Sequence, residues 1–194
     1  YFFVVSFALF LHVVFIYLPL IRIIGKVQVV KFFNGMKEAL IFAFSTSSSS
    51  ATIPVTLENL KKNFSVKDKI ASFTVPLGAT INMDGTAIMQ GVATVFISQA
   101  YGIDLSVSDF LMVILTATLA SIGTAGVPGV GLIMLAMVLQ QVGLPVEGIA
   151  LIIGVDRLLD MLRTSVNVCG DSMIACLISS SENNLRKEIF YDQR

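Results

Sequence analysis

Long hydrophobic stretches fill most of the chain, and polar residues interrupt them at a few places. The first stretch, Tyr1 to Ile24, is apolar apart from Ser6, His12 and Arg22. A helix needs about 20 mainly apolar residues to cross the hydrocarbon core of a bilayer. We therefore predict a transmembrane helix at residues 1–24. A single His12 within such a helix is usually a packing or interhelical hydrogen-bonding residue, and we assign it that role.

Two further stretches carry a polar tip between two apolar legs that are each too short to cross a membrane. At residues 32–60 the tip is the serine-rich run 45–50, and at residues 108–142 it is the glycine-rich run 121–131. Non-helical backbone at membrane depth is tolerated where it is buried in protein or lines a cavity. We therefore predict two re-entrant helical hairpins. A flexible serine linker is the alternative for the first tip, and a glycine helix-packing face is the alternative for the second.

The two remaining stretches are long enough to cross a membrane but contain polar residues in their middle. Residues 68–101 include Asn82, Asp84 and Gly85, which predicts a broken transmembrane helix. Residues 145–182 predict a last transmembrane helix with a polar stripe along one side. The stripe consists of Asp156, Asp160, Arg163, Thr164, Asn167 and Asp171. A charge at that depth costs a few kcal/mol or more, so it is retained where it faces a partner, a substrate or an ion.

An internal repeat relates the two predicted hairpins. The segment from Ser47 to Pro54 matches the segment from Ser121 to Pro128, 74 residues later. The distribution of Lys and Arg predicts that the two halves are inverted, because bases concentrate in cytoplasmic loops. Of the 13 bases, all but Arg157 and Arg163 then lie on one side, which we assign to the cytoplasm together with the C-terminus. Inverted repeats with broken helices are typical of secondary transporters.

The composition supports an all-α membrane protein and argues against other classes. Of the 194 residues, 55% are hydrophobic and 13% are charged, about half the charged share of a soluble domain. The formal net charge is zero, so nothing indicates nucleic-acid binding. Cys169 and Cys176 are too far apart along the last predicted helix to form a disulfide. Because the chain starts with Tyr1 inside an apolar run, we expect it to be part of a longer protein.

The polar residues predict a site for a charged amino acid and for cations. Hydroxyl and backbone N–H groups at the serine tip can hold a carboxylate, as helix N-termini do. Asp84 and Asp171 would be costly as free anions in a membrane, and a bound monovalent cation would offset that cost. Arg163 offers a planar fork for a carboxylate, and Asp160 can accept an ammonium group. In the alternative, Asp160 and Arg163 simply pair across one helical turn.

Four segments carry a resemblance to a known family. They are Ser47 to Pro54, Gly78 to Thr86, Ser121 to Gly129 and Asp160 to Asp171. Together they resemble the dicarboxylate/amino acid:cation symporter family of sodium-coupled glutamate and aspartate transporters. The resemblance implies the C-terminal part of an elevator-type transport domain, with the second hairpin as the gate. It also implies a homotrimer, formed through scaffold helices that this chain does not contain.

The resemblance also implies the binding residues. The substrate site would consist of Ser49, Thr86, Asp160, Arg163, Thr164 and Asn167, with backbone groups of Ser47, Val127 and Gly131. One sodium site would use Gly78, Asn82, Asn167 and Asp171, and a second would use carbonyl groups of Thr80, Met83, Ser121, Ile122 and Thr124. Asn82 and Asp84 would supply half of a third. An additional arginine found in the family is absent, and Arg157 is a possible substitute, while Gln90 replaces a proton-carrying glutamate and suggests a prokaryotic-type protein.

We therefore expect a sodium-driven importer of aspartate or glutamate in the inner or plasma membrane. Its partners would be the acidic amino acid, sodium ions and the lipid bilayer, with no organic cofactor and no enzymatic activity. A C4-dicarboxylate or neutral amino acid symporter of the same fold is one alternative. An intramembrane aspartyl protease, using Asp84 with Asp160 or Asp171, and an ion channel are the others.

Overall fold

The computed structural model of the chain describes residues 1–182 and residue 185, and these residues form an all-helical structure. The bases at positions 186, 187 and 194, assigned above to the cytoplasmic side, lie outside the described residues. The α-helices are α1 Phe2–His12, α2 Val29–Thr46, α3 Ser49–Phe64, α4 Asp68–Ile81, α5 Asp84–Ala100, α6 Val107–Ile122, α7 Val130–Gln141 and α8 Ile153–Ser181.

The first helical segment contains two π-helical stretches. After α1 the chain continues through Val13–Tyr17 and Leu20–Ile24, each with π-helical geometry. The whole segment Phe2–Ile24 is 23 residues long, and within the described residues it is the one helix both long and apolar enough to cross a membrane. The helix α8 has 29 residues, but its polar stripe lowers its hydropathy. Apolar length alone therefore identifies one span.

The helices α2 and α3 pack against each other, and so do α6 and α7. Ser47 ends α2 in the left-handed conformation with φ of 53°. Ser48 then caps α3 by accepting a hydrogen bond from the Ala51 N–H. The turn between α6 and α7 meets this first tip, because both the Ser50 N–H and the Ser48 hydroxyl donate to the Gly126 carbonyl, at 3.1 and 2.7 Å. The tips of the two helical hairpins are therefore joined directly by hydrogen bonds.

The helix α8 is central and packs against α2, α3, α4, α5 and α1. Buried side chains form two hydrophobic cores. One core includes Phe32, Met36 and Phe64 from the first hairpin, and the other includes Met89 and Leu135 from α5 and α7. Because α8 contributes residues to both cores, its polar stripe lies in the protein interior between them.

The broken helix and the last helix differ in detail from regular helices. Asn82 and Met83 separate α4 from α5 with non-helical backbone. A short 3₁₀ helix, Val146–Leu151, precedes α8 and follows Pro145. The last helix was predicted to begin at residue 145, but Pro145 is the N-cap of the 3₁₀ helix and regular α-helix begins only at Ile153.

Candidate functional site

All six residues of the polar stripe on α8 are buried, which agrees with the prediction that they face the interior. Their side chains point away from the surface of the bundle although three are carboxylates and one is a guanidinium. Buried charges are retained when they are paired and hydrogen-bonded. The members are Asp156, Asp160, Arg163, Thr164, Asn167 and Asp171.

Arg163 is held between two carboxylates one and two turns earlier on α8. Its Nε and one terminal nitrogen donate to Asp160 Oδ1 at 3.1 and 2.9 Å. The two terminal nitrogens donate to the two oxygens of Asp156 at 3.0 and 3.4 Å. The pairing of Asp160 with Arg163 that the sequence left open is thus present, and Asp156 adds a second partner. Formally, two negative charges flank one positive charge.

A small cavity lies beside this ion cluster where the two hairpin tips meet α5 and α8. Its volume is about 20 Å³, room for roughly one water molecule and not for an amino acid. The predicted substrate residues that line it are Ser47, Ser49, Thr86, Val127, Gly131, Asp160, Thr164 and Asn167. Arg163 lies behind Gly131, where an added Cβ would come within 3.1 Å of a guanidinium nitrogen. The structure thus brings the predicted substrate residues together.

Three helices begin at this cavity. Ser49 is the first residue of α3, Thr86 lies in the first turn of α5, and Gly131 lies in the first turn of α7. The N-terminus of a helix carries unpaired N–H groups and a partial positive charge, which favours anions. One such group is already used, since the Gly129 N–H donates to Asp160 Oδ2 at 3.0 Å. The arrangement suits a carboxylate.

Oxygen atoms of the first predicted sodium site converge on the side-chain amide of Asn82. Its Nδ2 donates to the Asn167 carbonyl at 3.1 Å and to Asp171 Oδ1 at 2.9 Å. Gly78 lies so close that an added Cβ would collide with the Asp171 carboxylate. Rotation of the Asn82 amide would replace its donors by an oxygen, which would complete a set of hard oxygen ligands for a cation.

The second predicted sodium set lies where α4 and α6 both end. Thr80 is in the last turn of α4, and Ser121 and Ile122 are in the last turn of α6. The two ends are close, because a Cβ on Gly126 would come within 3.0 Å of the Ala79 carbonyl oxygen. Helix C-termini expose carbonyl oxygens and carry a partial negative charge, so this location suits a cation. Met83 and Thr124 both line the neighbouring cavity.

Asp84 has partners that the sequence did not indicate. Its Oδ2 accepts a hydrogen bond from the Tyr17 hydroxyl at 3.0 Å and lies 3.1 Å from His12 Nε2. In an α-helix residues five apart point about 140° away from each other. The π-helical stretch Val13–Tyr17 changes that spacing and brings both side chains to one carboxylate. His12 thus has the interhelical hydrogen-bonding role that was one of the two predicted for it, but the sequence did not indicate that its partner is Asp84.

Arg157 and Gln90, to which the sequence analysis gave a possible role, do not line the cavity. Arg157 is exposed on α8, although its neighbour Asp156 is buried, so the structure gives no support to Arg157 as a substitute arginine. Gln90 is buried and its amide nitrogen lies 3.5 Å from the Gly131 carbonyl. Its Oε1 has no hydrogen-bond partner among the described residues. Gln90 therefore connects α5 to the start of α7.

Comparison with known proteins identifies similar transporters. The chain is 47% identical over 175 residues to a Caenorhabditis elegans protein described as putative sodium-dependent excitatory amino acid transporter glt-4, covering 89% of this chain and 35% of that protein. It is 46% identical over 164 residues to human excitatory amino acid transporter 2, covering 84% of this chain and 29% of the relative. It is 49% identical over 147 residues to rat excitatory amino acid transporter 1, covering 76% and 27%.

These relatives are much longer than the chain. The chain spans about a third of the length of the curated relatives it matches. All three are animal proteins, so they lend no support to the expectation of a prokaryotic type. A model of a family of membrane transporters matches residues 1–181. On this evidence the chain belongs to the sodium:dicarboxylate symporter family.

Proposed function

We propose that the chain is the C-terminal part of a transport domain that carries aspartate or glutamate across a membrane together with sodium ions. The observation that supports this proposal is that the N-terminal ends of some helices and the C-terminal ends of others lie next to each other at the cavity. Three N-termini border the cavity beside Arg163, and two C-termini lie next to it. We infer that an anion would bind at the N-termini and its coupling cations at the neighbouring C-termini, each at helix ends of complementary partial charge.

The ion cluster on α8 explains how an acidic amino acid would be recognised. Its side-chain carboxylate would bind the Arg163 fork, and its ammonium group would bind Asp160. Asp160 now uses Oδ1 for Arg163 and Oδ2 for the Gly129 N–H. Substrate binding therefore requires Asp160 to exchange these contacts for the ammonium group. Asp156 would keep Arg163 partly neutralised and oriented throughout the exchange.

Sodium would act through the carboxylate of Asp171. This side chain is buried, with 3% of its surface exposed, and its Oδ1 is held by the Asn82 amide. A cation bound there would compensate the buried charge and fix the break between α4 and α5. Asn167 links the two sites, because its Oδ1 accepts from the Gly85 N–H at 2.8 Å and its carbonyl faces Asn82. This link would couple sodium to substrate.

The hairpin tips would act as the gate. The cavity is too small for an amino acid, so the contact of Ser48 and Ser50 with Gly126 must open for a substrate to enter. We propose that both hairpins are re-entrant, that the second one opens, and that the domain moves as an elevator within a homotrimer built by scaffold helices outside this chain. The basic loops would face the cytoplasm.

Uptake by the full-length protein in liposomes tests this function. We expect saturable uptake of radiolabelled L-aspartate or L-glutamate when sodium is high outside, and none when choline replaces sodium. Competition by succinate and by L-serine separates the dicarboxylate and neutral amino acid alternatives. Flux that does not saturate would indicate the channel alternative. Uptake that is equal with sodium and with choline would contradict the proposal.

The protease alternative receives no support from the geometry. An aspartyl protease needs two carboxylates close enough to share a proton and activate water. In the described residues Asp84 is bonded to Tyr17, Asp160 to Arg163, and Asp171 to Asn82. Each of the three candidate acids therefore has a different partner, and the family consists of transporters.

A further inference from the structure

The carboxylate of Asp84 is held by the first helical segment and not by its own helix. Asp84 is the first residue of α5, and Met83 at the N-cap makes no side-chain capping bond. The Oδ2 atom of Asp84 accepts a hydrogen bond from the Tyr17 hydroxyl at 3.0 Å and lies 3.1 Å from His12 Nε2. Because an ionised carboxylate only accepts hydrogen bonds, Nε2 is the donor of the second bond. Two donors from one segment therefore fix one oxygen of this carboxylate.

The way in which Asp84 is held leaves its other oxygen for a further ligand. Both bonds from the first segment go to Oδ2, so a ligand on Oδ1 would not compete with either donor for the same atom. Asn82 stands two residues earlier, where the backbone is not helical. Its side-chain oxygen, like a carboxylate oxygen, is of the hard type that hard cations prefer.

The Tyr17 hydroxyl reaches into the interior beside this break between α4 and α5. Tyr17 is 1% exposed. A Cβ added to Gly170 on α8 would collide both with the Tyr17 hydroxyl and with the Asn82 amide. The hydroxyl therefore lies between α8 and the break, next to Asn82 as well as Asp84. The His12 ring packs edge-on against the Tyr17 ring, with centroids 4.7 Å apart, so the two donors also hold each other in place.

The backbone of the first segment is altered where these two donors are presented. The Leu18 N–H donates to the Val13 carbonyl, five residues earlier, which is the bond of a π-helix. Single π-helical turns are rare and occur frequently at functional sites. Here the altered turn begins directly after His12 and ends at Tyr17. The altered backbone and the two bonds to Asp84 therefore belong to one feature.

We propose that Tyr17 and His12 are positioning residues that orient the Asp84 carboxylate so that its Oδ1 can bind a sodium ion beside Asn82. The inference rests on the proposed function, because it takes the cation to be a coupling sodium ion. Neither Tyr17 nor His12 needs to touch the ion. Ligating carboxylates are themselves hydrogen-bonded, and loss of such an outer partner lowers metal affinity about 10–100-fold. If the contact only tied the first segment to α5, its loss would lower stability and leave sodium affinity unchanged.

Sodium titrations of L-aspartate binding to the full-length protein test this inference, with thermal unfolding recorded on the same samples. Tyr17→Phe keeps the ring and removes the hydroxyl. We expect the sodium concentration for half-maximal binding to rise about tenfold, the lower end of the range for outer partners. The matched control is Thr94→Val, which removes another buried hydroxyl from α5, bonded to the Gln90 carbonyl at 2.8 Å. This control should lower the thermal midpoint in the same way without changing the sodium dependence.

Two variants of His12 test the second donor. His12→Phe keeps a ring against Tyr17 but has no N–H, so it should raise the half-maximal sodium concentration as Tyr17→Phe does. His12→Gln keeps an N–H at a similar reach and should restore most of the affinity.

The outcomes separate this inference from the proposed function. Wild-type binding that does not depend on sodium would contradict the proposed function and this inference with it. Sodium-dependent binding in the wild type with an unchanged half-maximal concentration in Tyr17→Phe would overturn this inference alone. An equal rise in Thr94→Val would also overturn it, because any lost buried hydroxyl would then have the same effect. A His12→Gln variant as weak as His12→Phe would overturn the role of the His12 N–H.

Discussion

Replacement of Arg163 by cysteine is the most informative perturbation of the candidate site. Arg163 is 1% exposed, and it is the partner of both Asp156 and Asp160, themselves 5% and 7% exposed. Arg163→Cys would leave two buried carboxylates facing each other without a cation. Removing one partner from a buried ion pair costs about 3–5 kcal/mol. We therefore expect a clear loss of stability together with a loss of acidic substrate binding.

A second substitution separates these two effects. Asp156→Asn on the Arg163→Cys background removes one of the two stranded charges, so it should restore much of the stability. It should not restore aspartate binding, because the carboxylate fork remains absent. Loss of a buried charge-assisted contact costs about 2–5 kcal/mol, or at least about 30-fold in affinity. Neutral amino acids such as serine should still compete, since Asp160 remains to bind their ammonium group.

The measurement is the affinity of the full-length protein for L-aspartate and L-serine at saturating sodium, with thermal unfolding recorded on the same samples. The expected result for the double variant is near-normal unfolding, lost aspartate affinity and retained serine affinity. Unchanged aspartate affinity in a folded variant would refute the assignment of Arg163. Loss of both ligands in the stabilised variant would show that Arg163 only orders the site.

Three further substitutions test coupling, gating and the contact between the first span and α5. Saturating sodium should raise substrate affinity by a factor of order 5–150 in the wild type, and Asp171→Asn should bring that factor close to one. An unchanged sodium dependence of substrate affinity would show that Asp171 is only structural. Ser48→Ala removes the 2.7 Å bond to Gly126 and the cap of α3, so substrate should dissociate several-fold faster, and unchanged dissociation in stopped-flow would contradict the gate. Tyr17→Phe removes one bond worth about 1 kcal/mol, and the thermal midpoint should fall by a few degrees, whereas an equal midpoint would mean that this bond does not stabilise the fold.

The sequence alone could predict the parts of the fold that depend on local composition. The serine run at 45–50 and the glycines of 121–131 end helices, because their residues favour caps and turns over helix interiors. The break at Asn82 is predictable for the same reason. The spacing of the stripe on α8 places six polar residues on one side, and the structure buries all of them. Helical period and breakers are sufficient for these features.

Contacts between distant segments are beyond such reasoning. Asp84 bonds to Tyr17, 67 residues away, and lies next to His12, 72 residues away. No rule of spacing connects a histidine in the first span to the start of α5. The contact also requires a π-helical stretch, and the apolar residues from Val13 to Ile16 give no sequence signal for one. Tertiary contacts decide that geometry, since the π-helical spacing is what allows His12 and Tyr17 to reach the part-buried Asp84 carboxylate together.

The sequence also leaves the partners of Asp160 undecided, although the candidates lie on the same helix, α8. The sequence allows two interpretations of Asp160, as a partner of Arg163 or as an acceptor for an ammonium group. Both are compatible with the same structure, because Asp160 pairs with Arg163 and also lines the cavity. In the proposed transport cycle Asp160 would exchange Arg163 for the ammonium group of the substrate, and Asp156 would keep its own pairing with the guanidinium during that exchange. Because an unpaired buried charge is costly, such an exchange would need a second, constant partner for Arg163, and we propose that Asp156, two turns earlier on the same helix, is that partner.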